Sequence, residues 1–131
     1  MKSTILVVDD DALIRELADV TLSQAGFHVI SAASGETALQ VIGRTRIDLM
    51  LLDIHMPRMD GLAVLDAAVR RHGARMPIVM MTADSGSNKV REARRMGCVG
   101  YVVKPFAPQS LCARVQACLD TPRPTHTHWV S

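Results

Sequence analysis

The stretch IDLMLLDIHMPRMDG, residues 47–61, joins the pattern of a buried strand to a carboxylate at its end. Its first half is an almost continuous apolar run, which is typical of a parallel strand covered on both faces. The run reaches Asp53, and a loop with a proline and a glycine follows before the spacing becomes helical. We expect this strand to be central in its sheet, with Asp53 at the sheet edge.

Four other short apolar runs lie along the chain, and a segment with helical spacing follows each of the five. Because short loops join these alternating elements, we predict parallel strands connected by right-handed helical crossovers. The predicted fold class is α/β, a flavodoxin-like (βα)5 three-layer sandwich around a five-stranded parallel sheet of order 2-1-3-4-5. The predicted strands are 4–8, 27–31, 47–54, 77–83 and 100–103, and the predicted helices are 12–25, 34–43, 61–73, 88–96 and 108–119.

The composition indicates one domain with a single aliphatic core. The chain has 131 residues, of which 48% are hydrophobic, and its formal net charge of +2 gives little support for nucleic-acid binding. We expect a domain over residues 1–120 and a mobile tail over residues 121–131, which contain two prolines and no periodicity. No apolar run approaches the roughly 18 residues of a membrane span, and no signal peptide is evident, so we expect a cytoplasmic protein.

The ends of the predicted strands carry the candidate functional residues. Asp9 and Asp10 directly follow strand one, Asp53 and Thr82 lie at the ends of strands three and four, and Lys104 directly follows strand five. Ligands of open α/β sheets bind at the carboxyl ends of the strands, where the strand order reverses. Because strands one and three are neighbours there, we expect the three carboxylates to converge, with the threonine and the lysine beside them.

Three carboxylates in one pocket repel each other, and burial strengthens the repulsion. A lysine offsets one negative charge and a divalent cation offsets two, and Mg²⁺ prefers oxygen ligands of this kind. A metal beside a carboxylate nucleophile, with threonine and lysine donors, is typical of phosphoryl transfer to aspartate. At this point both a phosphoacceptor and a magnesium-dependent phosphohydrolase remain open. A flavin-binding module of similar topology is disfavoured, because the loop after strand one is acidic.

Four motifs resemble those of the receiver domain of two-component response regulators, especially the single-domain chemotaxis regulators. They are ILVVDDD, LLDIHMPRMDG, PIVMMTA and GYVVKPF, and the resemblance covers residues 3–119. It implies that Asp53 accepts a phosphoryl group from a histidine kinase or a histidine phosphotransfer protein. It also implies a signalling switch that helps to catalyse its own phosphorylation and dephosphorylation. We expect an unknown downstream protein target, no direct nucleic-acid binding and no membrane association.

The resemblance also implies which residues bind the metal and the phosphoryl group. Mg²⁺ would have oxygen ligands from the carboxylates of Asp10 and Asp53 and from the backbone carbonyl of His55, and Asp9 would assist either directly or through a water molecule. The phosphoryl oxygens would accept hydrogen bonds from Thr82 and Lys104. The peptide bond between Lys104 and Pro105 is expected to be cis.

A switch and a readout surface are implied in the same way. Tyr101 matches an aromatic position that moves inward as Thr82 moves. The expected readout surface is strand five with the flanking helices, residues 89–96 and 108–119. Four basic side chains on the first of these helices form either a solvated face or a docking surface for an acidic partner: Lys89, Arg91, Arg94 and Arg95.

Two positions beside the site are expected to tune the lifetime of the phosphate. His55 lies two residues after Asp53, and Asp84 lies two residues after Thr82. A phosphohydrolase with an aspartyl-phosphate intermediate usually has a second carboxylate where this chain has His55, which makes that alternative weaker. The chain could also be the receiver module of a hybrid kinase or of a larger regulator.

Overall fold

Five parallel strands form the central sheet of the computed structural model, which describes residues 2–72 and 76–120. Their order is β2-β1-β3-β4-β5, and each neighbouring pair is parallel. The predicted fold class and strand order are confirmed. The strands are β1 (Thr4–Val8), β2 (His28–Ala32), β3 (Leu49–Asp53), β4 (Ile78–Thr82) and β5 (Gly100–Val103).

Each strand is followed by a helix, and the helices divide between the two faces of the sheet. The helices are α1 (Ala12–Gln24), α2 (Gly35–Arg44), α3 (Gly61–His72), α4 (Asn88–Met96) and α5 (Pro108–Asp120). Buried side chains of α1 and α5 pack on one face, and those of α2, α3 and α4 pack on the other. The sandwich therefore has three layers and two cores, one on each side of the sheet.

The central strand β3 contributes to both cores, which explains its continuous apolar sequence. Met50 and Leu52 belong to the core under α2, α3 and α4, while Leu49 and Leu51 belong to the core under α1 and α5. All five residues of β3 are buried. Each fully buried side chain of this size contributes about 1.5–3 kcal/mol, so the strand that ends in Asp53 is firmly held.

Side-chain caps fix where four of the helices begin. Asp11 accepts a hydrogen bond from the Leu13 N–H at 2.9 Å, and Ser34, Asp60 and Ser87 cap α2, α3 and α4 in the same way. Of the two predicted caps for α4, the structure therefore selects Ser87. Gly97 ends α4 with a left-handed φ of 116°, as its sequence position predicts.

The predicted boundaries differ from the observed ones by one or two residues. Helix α2 continues through Gly43 to Arg44, because the Thr45 N–H still donates to the Val41 carbonyl at 2.8 Å. Strand β2 begins and ends one residue later than predicted. The predicted end of α3 at Gly73 and the predicted tail, residues 121–131, lie outside the described residues.

Helix α1 does not turn its whole apolar pattern toward the core. Leu13, Leu17 and Val20 are 71%, 42% and 49% exposed, and their i, i+4, i+7 spacing places them on one face of the helix. Ala18 and Leu22 form the buried face instead. Within residues 2–72 and 76–120, no helix has both the length and the apolarity needed to cross a membrane.

Candidate functional site

The carboxyl ends of β1 and β3 bring three carboxylates together. Val8 pairs with Leu52 in the sheet register, so the next residue of each strand lies at the same edge. Asp9, Asp10 and Asp53 each offer an oxygen within 4.8 Å of those of the other two. Asp9 and Asp53 are buried, whereas Asp10 is exposed. The cluster is open to solvent on the Asp10 side and closed on the side of the sheet.

Lys104 reaches this cluster from the end of β5. Its Nζ donates to Asp9 Oδ2 at 3.1 Å and to Asp53 Oδ1 at 3.2 Å, so one ammonium bridges the two buried carboxylates. The peptide bond between Lys104 and Pro105 is cis. The backbone N–H of Lys104 donates to the Thr82 carbonyl at 2.7 Å, which attaches the lysine to the end of β4.

The pKa values of Asp53 and Lys104 move in the same direction for different reasons. Burial, reinforced by repulsion from Asp9, raises the pKa of Asp53 from 3.8 to about 6, although Lys104 and the His55 N–H oppose the rise. Burial alone would lower the pKa of Lys104, but attraction to Asp53 and Asp9 outweighs it and the pKa is raised. The site therefore holds a carboxylate poised near neutral pH beside a lysine that stays charged.

The oxygen donors of the cluster fit a hard divalent cation. Three carboxylates with one ammonium between them leave an excess of negative charge, and carboxylate oxygens suit Mg²⁺. His55 donates its N–H to Asp53 Oδ1 at 3.2 Å. In the described part of the chain the carbonyl oxygen of His55 accepts no hydrogen bond, which leaves it available as a ligand. The imidazole is exposed to solvent.

The loop after β3 depends on Gly61. Its N–H donates to the Ile54 carbonyl at 2.8 Å, and a Cβ built on it would overlap the Asp53 carbonyl oxygen and lie 2.7 Å from the Ile54 Cα. Only glycine allows α3 to begin this close to the end of β3. Arg58 in the same loop has a left-handed φ of 64°, which costs a residue with a Cβ about 1 kcal/mol.

The hydroxyl of Thr82 is bonded to its own loop and not to the cluster. Thr82 is buried, and its Oγ1 donates to the Asp84 carbonyl at 3.2 Å and accepts from the Asp84 N–H at 3.1 Å. The exposed Asp84 carboxylate accepts from the Gly86 N–H at 3.0 Å. The loop after β4 is thus held by short-range bonds, and the predicted hydrogen bond of Thr82 to a phosphoryl group would require these to change.

Tyr101 lies on β5, half-buried, opposite Met80 of β4 in the register and packed against the core under α2, α3 and α4. With Val103, Pro105 and Arg114 it lines an open cavity of about 350 Å³ between β5 and α5. The predicted switch residue is therefore next to a surface recess on the predicted readout side of the sheet.

Sequence reasoning missed one residue beside the cluster. Arg15 lies on α1, and its Nη1 donates to the Asp9 carbonyl at 2.8 Å. No motif marks this arginine. The separation of six residues between Arg15 and Asp9 does not predict a contact by itself. The contact forms because α1 begins at Ala12, which directs the Arg15 side chain back toward β1.

Residues 5–116 match the family model described as "Response regulator receiver domain". The chain belongs to this family, and it is a receiver domain of the two-component systems. The family consists of signalling switches, so the chain is identified as a switch domain. The resemblance drawn from its motifs is confirmed.

Two curated proteins and one solved structure illustrate what the chain is similar to. A "Probable transcriptional regulator ycf27" of Porphyridium aerugineum is 41% identical over 118 residues, which are 90% of this chain and 48% of that protein. The "DNA-binding response regulator MtrA" of Mycobacterium tuberculosis is 40% identical over 117 residues, 89% of this chain and 50% of that protein. The structure of the chemotaxis protein CheY4 of Vibrio cholerae is 33% identical, with a TM-score of 0.85 over 90% of this chain and 99% of that one.

The prediction about nucleic acid is wrong. The expectation of no direct nucleic-acid binding is overturned by these relatives, which are named as transcriptional and DNA-binding regulators. The chain spans about half the length of the curated relatives it matches. The expectation rested on the near-neutral charge of this chain, and that charge describes only the receiver segment that the relatives share.

Proposed function

We propose that Asp53 accepts a phosphoryl group from the phosphohistidine of a histidine kinase or of a histidine phosphotransfer protein, in the cytoplasm. The observation that carries the proposal is the position of Asp53, buried at the end of the central strand and bonded to Lys104. Residues 1–120 would be the receiver domain. The family match supports a phosphoacceptor over a hydrolase, and the position two residues after Asp53 is a histidine and not a second carboxylate.

Metal binding would complete the site. Asp9, Asp10, Asp53 and the backbone carbonyl of His55 would hold Mg²⁺, which neutralises charge on the transferring phosphoryl oxygens. Within the protein, Lys104 supplies further positive charge at the same place, since its Nζ already contacts Asp53.

Hydrogen bonding distinguishes the two oxygens of Asp53. Oδ1 accepts from Lys104 Nζ and from the His55 N–H, while no donor in the described part of the chain is bonded to Oδ2. Oδ2 is therefore the nucleophile in this proposal. It attacks phosphorus as the bond from phosphorus to the imidazole nitrogen of the donor breaks, and the electron pair of that bond returns to the imidazole.

The donor protein would dock against α1. Leu13, Leu17 and Val20 form an exposed apolar stripe that starts two residues after Asp11 and so lies beside the site. An amphipathic helix of a partner can cover such an i, i+4, i+7 stripe. Docking there would place a phosphohistidine near the open side of the cluster, where Asp10 is exposed.

The response would pass through Thr82 and the loop after β4. Phosphorylation adds about one negative charge at Asp53, and this draws the Thr82 hydroxyl away from Asp84 and lets Tyr101 follow. The same loop reaches α4, because Arg91 Nη1 donates to the Gly86 carbonyl at 3.2 Å. The readout surface would be α4, β5 and α5, including the basic residues of α4.

The output is inferred to reach transcription, because curated relatives are named as transcriptional regulators. His55 and Asp84 would set the lifetime of the phosphate. The His55 imidazole is exposed and can shield or position an attacking water. The Asp84 carboxylate is bonded to Gly86, so its effect would come through the shape of the loop.

The test uses a small-molecule phosphodonor with Mg²⁺ and intact-mass measurement. We expect wild type and Asp66→Asn to gain one phosphoryl group per chain, and Asp53→Asn to gain none. Asp66 is the matched control, since it is a carboxylate on α3 whose ion pair is with Arg70 at 2.9 Å. A full adduct on Asp53→Asn would overturn the assignment of the acceptor, and sustained turnover of a phosphate ester would indicate a hydrolase.

A further inference from the structure

Asp10 is the least supported member of the carboxylate cluster. Asp9 accepts from the Asp11 N–H at 2.9 Å and from Lys104 Nζ at 3.1 Å, and Asp53 also has two donors. The exposed carboxylate of Asp10 forms no hydrogen bond or ion pair within residues 2–72 and 76–120. Its position close to the other two carboxylates is therefore set by the backbone that carries it.

Arg15 holds that backbone. Its Nη1 donates to the Asp9 carbonyl oxygen at 2.8 Å. This carbonyl lies in the same rigid plane as the N–H of Asp10, so fixing it limits the direction in which the Asp10 side chain leaves the chain. The bond from the Asp9 N–H to the Ala32 carbonyl, at 3.2 Å, belongs to the preceding peptide plane and does not fix this one.

Arg15 is itself fixed by the start of α1. Its backbone N–H donates to the Asp11 carbonyl at 3.1 Å, and the Asp11 side chain caps the helix through the Leu13 N–H. The arginine side chain is half-buried, so it returns from the first turn of the helix to the end of β1. Strand end, cap and first helical turn thus form one closed hydrogen-bonded unit.

We propose that Arg15 is a positioning residue of the metal site, which holds the peptide between Asp9 and Asp10 so that the Asp10 carboxylate points at Asp53. The inference rests on the proposed function, because it assumes that the cluster binds Mg²⁺. Arg15 acts through the backbone of a ligand.

The positive charge of Arg15 should weaken Mg²⁺ binding, whereas its positioning of Asp10 should strengthen it. A guanidinium near the cluster repels Mg²⁺, so if charge were its only influence, a neutral replacement would bind Mg²⁺ more tightly. Loss of a group that orients a metal ligand weakens binding by about 10-fold to 100-fold. The sign of the change therefore separates positioning from simple electrostatics.

The experiment measures Mg²⁺ affinity directly by isothermal titration calorimetry on the full chain, with Mn²⁺ relaxation of water protons as a second readout. We expect Arg15→Met to bind Mg²⁺ about 10-fold more weakly and Arg15→Lys to recover part of the loss. Arg46→Met is the matched control, because Arg46 is exposed and precedes β3 at the opposite end of the sheet. It should bind as wild type does. Unchanged or tighter binding by a folded Arg15→Met would overturn the proposal.

A double-mutant cycle tests whether Arg15 affects Mg²⁺ affinity by positioning Asp10. In an Asp10→Asn background the further effect of Arg15→Met should fall below about 2-fold, because the ligand it positions is altered. A full 10-fold effect in that background would refute the claim that Arg15 acts through Asp10. Should Arg15→Met not fold, Arg15→Gln replaces it, since it is neutral and too short to keep the bond.

The failures of the two proposals are distinguishable. If the wild-type chain gains its phosphoryl group on Asp53 with Mg²⁺ and Arg15→Met binds Mg²⁺ normally, only the role of Arg15 is refuted. If the wild-type chain binds no Mg²⁺, the metal site and this inference are overturned together.

Discussion

Around β3 the reacting groups are buried and held by several bonds, whereas around β4 the loop that faces them is exposed and bonded mainly to itself. Asp9 and Asp53 share Lys104 and sit at the end of a strand buried on both faces. The Thr82 hydroxyl is bonded to Asp84, and Asp84 to Gly86, within five positions of the chain. A preorganised reaction site lowers the cost of charge transfer, and a weakly held loop can change its partners at low cost.

The largest change in stability should come from crowding the backbone at the end of β3. Gly61→Ala places a Cβ against the backbone of Asp53 and Ile54, and we expect the free energy of unfolding to fall by about 3 kcal/mol or more. Gly43→Ala is the matched control, because the space around Gly43 is open and the residue lies inside α2. The free energy of unfolding of Gly43→Ala should rise by up to about 1 kcal/mol. Urea denaturation measures both, and equal effects would contradict the packing argument.

Burial of Asp53 should appear as pH-dependent stability. Its pKa is about 6 in the folded chain and 3.8 without the fold, so the favourable contribution of the protonated form is full below pH 3.8 and is lost as the pH rises through 6. We expect Asp53→Asn to raise the free energy of unfolding at pH 8 without metal by between about 1 and 3 kcal/mol, since solvent screening reduces the full effect, and by little at pH 4. A gain that is the same at both pH values would show that the pKa is not raised.

Loss of the bridging ammonium should slow the reaction. Lys104→Met removes the donor that contacts both buried carboxylates, and we expect phosphorylation by a small donor to be about 100-fold slower. The rate is measured by quenching the reaction at successive times and determining the phosphorylated fraction by intact mass. Lys2→Met removes the same charge from an exposed position before β1 and should react as wild type does. A rate within a factor of two for Lys104→Met would refute its role.

Strain in the loop after β3 should be relieved by glycine. Arg58→Gly removes the cost of a left-handed φ, and we expect about 1 kcal/mol of added stability. Arg46→Gly, at an exposed position with negative φ, should instead lose a few tenths of a kcal/mol through chain entropy. Thermal unfolding of the pair distinguishes the two signs. A loss in both would mean that Arg58 is not strained.

The smallest change in stability should come from a substitution in the loop after β4. Asp84→Ala removes an exposed hydrogen bond to Gly86, and we expect less than about 0.5 kcal/mol of lost stability. The lifetime of the phosphate should nevertheless change several-fold, because the loop beside Thr82 is altered. Dephosphorylation followed by intact mass tests this, and an unchanged lifetime would refute the tuning role of Asp84.

The sequence predicts the fold well because the decisive signals are local. The apolar run before Asp53 identifies a central strand, and the short loops leave few topologies to consider. The convergence of Asp9, Asp10 and Asp53 follows from the strand order alone. Positions at strand ends are therefore predictable, because the backbone places them.

Side-chain partners were not predictable, because they depend on tertiary contacts. The direction of the Thr82 hydroxyl toward Asp84 depends on the loop, and the bond of Arg15 to Asp9 depends on where α1 begins. The spacing of apolar residues on α1 does not say which of them are exposed. Leu13 and Leu22 lie on opposite faces of α1, each in a stripe of apolar residues with helical spacing, yet Leu13 is 71% exposed and Leu22 is buried.

The most direct test of the account is chemical mapping of the acceptor. Borohydride reduces an aspartyl phosphate to homoserine, and peptide mass spectrometry then locates it after treatment with a phosphodonor and Mg²⁺. We predict homoserine at position 53 in wild type and at no position in Asp53→Asn. Homoserine at another aspartate, or a phosphoryl group stably attached to a histidine, would contradict the assignment of Asp53.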